Sequence, residues 1–239
     1  MQAQTINFEV DGLTLAGTLW MPSNSRPNLV AGCHGLFADR SSPKQQALGN
    51  ILPQKGLAYF CFDHRGCGDS QGDFEKDTTL SGRIRDLTAA LTYLRGMDLF
   101  GPGLGLFGSS LGGAIALLHA LENPVDALAV YAAPIRGEVL VSALRASGDA
   151  ARLPQAFFEE ITALSLPREG ISPGPLLIFH GNEDRVVPVS QAMELYEIAF
   201  EPKKLIILEG GDHPMNNPAH QKLFLNRTSA WFAEFLDKK

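Results

Sequence analysis

Six strand-length apolar runs, separated by turn residues and segments of helical periodicity, constrain the fold of this chain most. They read "LVAGCHG", "LAYFCFD", "GLGLFG", "ALAVYAAP", "PLLIFHG" and "KKLIILEG". Continuous runs such as "LLIF" and "LIIL" fit buried strands covered on both faces. Ahead of them, "INFEV" and "LTLAGTLWMP" read as two strands joined at Asp11-Gly12, a strong hairpin signal. Between the runs, a helix is expected from Pro43 to Gly56, with Pro43 a good first residue and Pro53 fraying its end. Residues 80–95 place Leu80, Ile84, Leu87, Leu91 and Leu94 at helical spacing. Residues 110–122 form a small-residue apolar helix, and further helices fit 189–200 and 218–237. An antiparallel hairpin followed by strand–helix alternation predicts an α/β fold: a mostly parallel eight-stranded sheet with helices on both faces. Without an internal repeat, a low-complexity tract or a linker, residues 1–239 are expected to form one domain.

The rhythm breaks once, between Pro134 and Pro175. "LPQAFFEEITALSLP" within that stretch reads as an amphipathic helix. An insertion beyond the strand ends is expected to form a small cap at about 134–174 over a site; an ordinary crossover helix with a long loop is the alternative.

Residues 103–113, "GLGLFGSSLGG", fit two incompatible motifs. The first letters match G-x-G-x-x-G, whose glycines should follow a strand and cradle a pyrophosphate. Here Leu104, Leu106 and Phe107 lie among the glycines and read as the strand itself, so that match is accidental. Gly108-Ser109-Ser110-Leu111-Gly112 fits G-x-S-x-G, the turn that exposes a nucleophilic serine between strand and helix. The ±2 neighbours must be small, and Gly108 and Gly112 meet that need for Ser110; Ser109 lies one residue off the bracket. The same turn aims the Leu111 N–H and the helix dipole toward developing negative charge.

A serine hydroxyl needs a base, and the base a partner that fixes its tautomer. "FHGNEDRVVP" puts Asp184 in the loop after one strand, and "LEGGDHPMNNP" puts His213 in the loop after the next. Both loops should emerge at the carboxyl edge of the sheet, where open α/β folds gather their sites.

With the order Ser110, Asp184, His213, the chain resembles the α/β-hydrolase superfamily, and within it small esterases of the cinnamoyl or feruloyl type and related serine-hydrolase-like peptidases. The resemblance runs from "HGLFADR" through "DHRGCGDSQG", "GSSLGG" and "HGNEDRVVP" to "GGDHP". It implies Ser110 as nucleophile, His213 as general base and then acid, and Asp184 as the orienting carboxylate. It also implies an oxyanion hole from the N–H groups of Leu36 and Leu111, with Phe37 the donor if the loop is shifted by one. The implied activity is hydrolysis of carboxylic esters of small or aromatic acids, with no cofactor. Thioester or peptide hydrolysis by the same residues, and a non-catalytic binding protein on the same fold, are the alternatives.

Each assignment has rivals. His34 is expected to hold the oxyanion loop through hydrogen bonds, and His64 to lie in a turn that shapes the rim of the site. His119 falls in a helix as packing or surface, His180 braces the acid loop, and His220 lies on the last helix. Glu183, Asp212 and, after the preceding strand, Glu138 are the other candidate acids. The Phe and Leu residues of 153–166 line an acyl or aromatic pocket or pack the core, the sequence favouring neither. Cys61, His64 and Cys67 have the wrong spacing for a usual zinc site, so no metal is expected.

Composition excludes other partners. With 19% charged residues, a net charge of −6 and scattered Lys and Arg, no basic stripe points to nucleic acid. No apolar run reaches membrane-spanning length. "MQAQTINFEVDG" lacks the basic and apolar regions of a secretory signal, and three cysteines make no disulfide framework, so a cytoplasmic protein acting on a small-molecule ester is expected. The oligomeric state is not legible.

Overall fold

The structure is a computed structural model that describes residues 3–23, 26–167 and 169–236. Strands β1 (Ala3–Val10) and β2 (Leu13–Trp20) form the opening hairpin, with Val10 opposite Leu13. Asp11 and Gly12, at φ 52° and 78°, supply the left-handed backbone that a two-residue hairpin turn needs. Next come β3 (Leu29–Cys33), α1 (Pro43–Ile51), β4 (Ala58–Phe62), α2 (Phe74–Asp77), α3 (Leu80–Gly96), β5 (Leu104–Ser109) and α4 (Leu111–Glu122). The chain continues through β6 (Ala127–Tyr131), α5 (Glu138–Ser147), α6 (Gln155–Ala163), β7 (Leu176–Gly181), α7 (Ser190–Ile198), β8 (Lys203–Leu208) and α8 (Pro218–Leu236). Residue 237, included in the expected last helix, lies outside the described residues.

The eight strands form one sheet in the order β1-β2-β4-β3-β5-β6-β7-β8. β2 runs antiparallel to β1 and β4, and the other neighbours are parallel. This is the α/β-hydrolase fold expected of the sequence. Strand alternation divides the apolar residues between two cores. In β4, Tyr59 and Cys61 pack with Leu48, Phe224 and Trp231 under α1 and α8, while Ala58, Phe60 and Phe62 pack toward Leu87, Leu91 and Ile115 of α3 and α4. No helix among the described residues is long and apolar enough to cross a membrane.

Two local expectations change. The helix expected to reach Gly56 stops at Ile51, and Leu52–Lys55 forms a tighter turn carrying Pro53, which has no N–H to continue the helix. β8 is not a buried strand: it is the edge of the sheet, where Ile207 is 38% exposed and only Leu208 is buried. Its apolar run packs partly on both faces, Leu205 against one core and Ile206 and Leu208 against the other, while its backbone pairs with β7 alone.

Residues 134–174 hold two helices, α5 and the expected α6, joined through a single turn at Asp149–Arg152. The stretch leaves and rejoins the body at one paired neck. The Gly137 N–H donates to Leu164 O (2.9 Å), and the Leu166 N–H donates to Ile135 O (3.0 Å). A Cβ at Gly137 would lie 1.6 Å from Ile161 O, so only glycine lets the two ends come this close.

Candidate active site

Ser110 sits alone between the last residue of β5 and the first of α4, at φ 54° and ψ −126°. That backbone is uncomfortable for a side-chain-bearing residue and turns the hydroxyl out over the carboxyl edge of the sheet. Its neighbours have no room for a methyl. A Cβ on Gly108 would fall 2.3 Å from Gly112 O, and one on Gly112 would fall 2.4 Å from Cys33 O and 2.5 Å from His34 O. Those obstacles are backbone atoms, which cannot swing aside. Gly112→Ala should therefore destabilise the fold by about 1–3 kcal/mol, read as a loss of roughly 5 °C in melting temperature.

The loops after β7 and β8 are laced together, with the Asn182 N–H donating to Leu208 O (3.1 Å) and the Glu183 N–H to Gly211 O (2.9 Å). This brings Asp184 against His213. His213 Nδ1 lies 2.7 Å from Asp184 Oδ2, and Nε2 lies 3.0 Å from Ser110 Oγ. The Asp184 carboxylate is fully buried. Its Oδ1 accepts the N–H groups of Val186 and Val187, both at 2.8 Å. Oδ2 is 3.4 Å from His180 Nε2, which also bonds Val187 O at 2.7 Å, so His180 braces the acid loop as expected. Burial pushes the Asp184 carboxyl up, but the hydrogen bonds from His180, His213 and the Val187 N–H outweigh it and hold it well below the usual carboxylate range.

The rivals fall away by position. Ser109 lines the same cleft but makes no hydrogen bond to His213 among the described residues. Glu138 and Glu183 are exposed, and Asp212 accepts from the N–H and side-chain amide of Asn216 rather than from His213. His119 is buried in α4 beside Thr88, and His220 lies on α8. His34 is buried behind the loop after β3: its Nε2 accepts the His64 N–H (3.0 Å), so its proton sits on Nδ1, which donates to Gly35 O (2.7 Å). His64 does not shape the rim. It is buried against Asp86 (3.3 Å) with its ring edge-on to His34, and no residue of 63–72 lines the cleft. The turn instead braces the loop after β3 from behind: Asp63 accepts the Arg40 N–H (2.7 Å) and pairs with the Arg40 guanidinium.

A cavity of about 480 Å³ opens beside Ser110. Leu36, Phe37 and Ala38 line it from the loop after β3, Leu140, Ala143 and Leu144 from α5, and Val186, Lys44 and Pro214 elsewhere. The N–H groups of Leu36 and Leu111 make no hydrogen bond among the described residues; Leu111 is the first residue of α4, where a helix leaves its N–H groups unpaired. Residues 153–166 do not form the cleft wall. Phe157 and Ile161 are fully buried in the core, which settles the open choice in favour of packing. The wall is α5, which sequence reasoning missed although Leu140, Val141 and Leu144 carry helical spacing. Lys44, whose ammonium donates to Pro214 O (2.9 Å) and lies over the Tyr131 ring, was missed as well.

Acid should unfold this arrangement in two stages. Burial holds His34 and His64 below the ordinary 6.5, His64 at about 4. Their folded values are depressed, so the stability they contribute is complete above 6.5 and declines as pH falls toward the folded values. Asp86, where burial is outweighed by His64 and Arg65, and Asp184 are depressed below 3.8 and add a second loss under that pH. Melting temperature measured from pH 8 to 2 should be flat, then slope gently, then drop steeply below about 4.

Among known proteins, the family model described as "Serine aminopeptidase, S33" matches residues 25–174. The uncharacterized protein YfhR of Salmonella typhi is 33% identical over 224 residues, 89% of this chain and 75% of that one. The crystal structure of the esterase domain of a Rhodothermus marinus protein has a TM-score of 0.78 at 26% identity, covering 99% of this chain and 100% of that one. Est1E from Butyrivibrio proteoclasticus, solved with ferulic acid bound, has a TM-score of 0.77 at 20% identity over 97% of this chain and 99% of its own, a likeness of fold.

Proposed function

The chain belongs to the serine aminopeptidase S33 family of α/β-hydrolases, and on that premise we propose that it is a serine hydrolase cleaving carboxylic esters of small or aromatic acids through an acyl-enzyme on Ser110. The observation that carries this reading is the unbroken hydrogen-bonded line from Asp184 Oδ2 through His213 to Ser110 Oγ. Ser110 Oγ attacks the ester carbonyl while His213 Nε2 takes its proton, and Asp184 holds the Nδ1 proton that keeps Nε2 free to accept. The oxyanion is received by the N–H groups of Leu36 and Leu111, a donor worth about 3 kcal/mol in well-studied hydrolases. The protonated His213 returns its proton to the departing alcohol. A water deprotonated by His213 then attacks the acyl-enzyme, and the acid leaves with Ser110 restored.

The cleft supports this substrate class. Residues 134–174 act as a small cap, and α5 presents Leu140, Ala143 and Leu144 opposite Leu36 and Phe37, an apolar slot suited to a short acyl chain or an aromatic acid.

Mixing the protein with p-nitrophenyl butyrate should give a burst of nitrophenol matching the enzyme concentration, and a fluorophosphonate should form one adduct, on Ser110. A panel of esters, acyl-CoA thioesters and aminoacyl amides ranks the bond. A clear preference for thioester or amide would replace the ester assignment, and no labelling at all would leave a binding protein.

A further inference from the structure

Arg83 lies inside α3 with no exposed surface, outside the cleft, and no carboxylate is within ion-pair distance of it among the described residues. Asp86 is the buried counter-charge nearby but does not touch Arg83, and burying a guanidinium with no carboxylate in contact is expensive; an apolar side chain of similar length would fill the space without that penalty. Its three contacts show where the charge is directed. Nη1 donates to Gly35 O (3.3 Å), and Nη2 donates to Leu36 O (3.1 Å) and meets Cys67 Sγ (3.3 Å).

We propose that Arg83 is a positioning residue for the oxyanion hole, clamping two successive peptide groups so that their N–H groups face the cleft. In a trans peptide the C=O and N–H point in opposite directions across one plane. The Gly35 carbonyl shares its plane with the Leu36 N–H, and the Leu36 carbonyl shares its plane with the Phe37 N–H. Drawing both carbonyls toward Arg83 turns both N–H groups the other way, toward the cavity that Gly35, Leu36, Phe37 and Ser110 line. The two carbonyls are not equally secured. Gly35 O also accepts from His34 Nδ1 and from the Ala38 N–H (3.3 Å), which closes a turn, whereas Leu36 O takes only Arg83 among the described residues. The Leu36–Phe37 peptide, the middle of that turn, therefore takes its orientation from the guanidinium, and it is hinged at the Leu36 Cα to the peptide whose N–H the mechanism uses, so losing the clamp displaces the Leu36 N–H as well. The cation also adds to both peptide dipoles from behind. In a dry interior this favours negative charge at the N–H ends, where the tetrahedral intermediate carries it.

The inference rests on the serine-hydrolase reading and predicts a loss confined to the transition state. In Arg83→Met, kcat for p-nitrophenyl butyrate should fall about 30-fold with KM within about twofold, less than the loss of a whole oxyanion donor. Affinity for a phenylboronic acid, which forms a tetrahedral anion on the serine, should weaken by the same factor. Arg83→Lys, which keeps the charge and can hold one carbonyl, should recover most of both. Rates are taken per serine titrated with fluorophosphonate, so a partly misfolded Met variant does not mimic the effect, and Arg83→Lys carries the test if the Met variant does not fold. A rise in KM at unchanged kcat, a fall in kcat without matching loss of boronate affinity, or no rescue by lysine would overturn the assignment. Boronate binding does not require ester turnover, so a wild-type protein that binds boronate but cleaves no ester removes the ester reading and leaves this test in force.

Discussion

Ser110→Ala should lower kcat for p-nitrophenyl butyrate by about 10⁵-fold or more, with the melting temperature unchanged within a few degrees. The loss is large because the proposed mechanism has no second route to the acyl-enzyme: the Ser110 hydroxyl is the group that His213 Nε2 meets at 3.0 Å. The fold should not suffer. Alanine tolerates φ 54° about as poorly as serine does, and the only side-chain contact of the hydroxyl among the described residues is to His213. Circular dichroism and a thermal melt check the fold, and a stopped assay with high enzyme concentration checks the residual rate. A near wild-type rate would move the chemistry away from Ser110, with Ser109 next to be replaced.

Asp184→Asn should cost about 10⁴-fold in kcat while leaving KM and overall structure close to wild type. One carboxylate oxygen holds the Val186 and Val187 N–H groups and the other faces His213. An asparagine keeps its single carbonyl oxygen where two backbone donors demand it, which turns its NH₂ toward His213 Nδ1. Nδ1 must then present a lone pair, the imidazole proton moves to Nε2, and the nitrogen that should accept the Ser110 proton is already occupied. The shape survives and the tautomer is wrong. Nitrogen-15 shifts of the His213 ring distinguish the tautomers directly. A variant with unaltered turnover would show that orientation of His213 does not depend on Asp184.

The pieces of this site differ in how far the sequence exposes them. Ser110, Asp184 and His213 were legible because each sits within a few residues of the end of an apolar run. Strand order and parallel direction then force three distant loops to one edge. The cleft wall was not legible in the same way. Both "EVLVSALRAS" and "QAFFEEITA" read as amphipathic helices, and nothing in their spacing says which faces Ser110 and which faces the core. Arg83 and Asp86 were hidden for a related reason. They interrupt the apolar stripe of α3 at positions that look like a solvated face, yet both are fully buried, because the loops bearing Gly35 and Arg65 fold over that end of the helix. The exposure of β8 was hidden by its hydrophobicity. "LIIL" carries no mark of being last in a sheet, since edge position is set by the register of other strands.

The pinched stem at Ile135–Gly137 and Leu164–Leu166 has an architectural corollary. Everything strung between those two points departs from and returns to one spot, so its length and shape can change without altering the separation of β6 and β7 or the placement of the reacting groups beyond them. On the proposed reading, much of recognition is thereby housed in a stretch of polypeptide separable from the chemistry. Grafting a relative's version of 138–163 onto this stem should exchange the preferred acid while leaving the rate-enhancing apparatus as it stands.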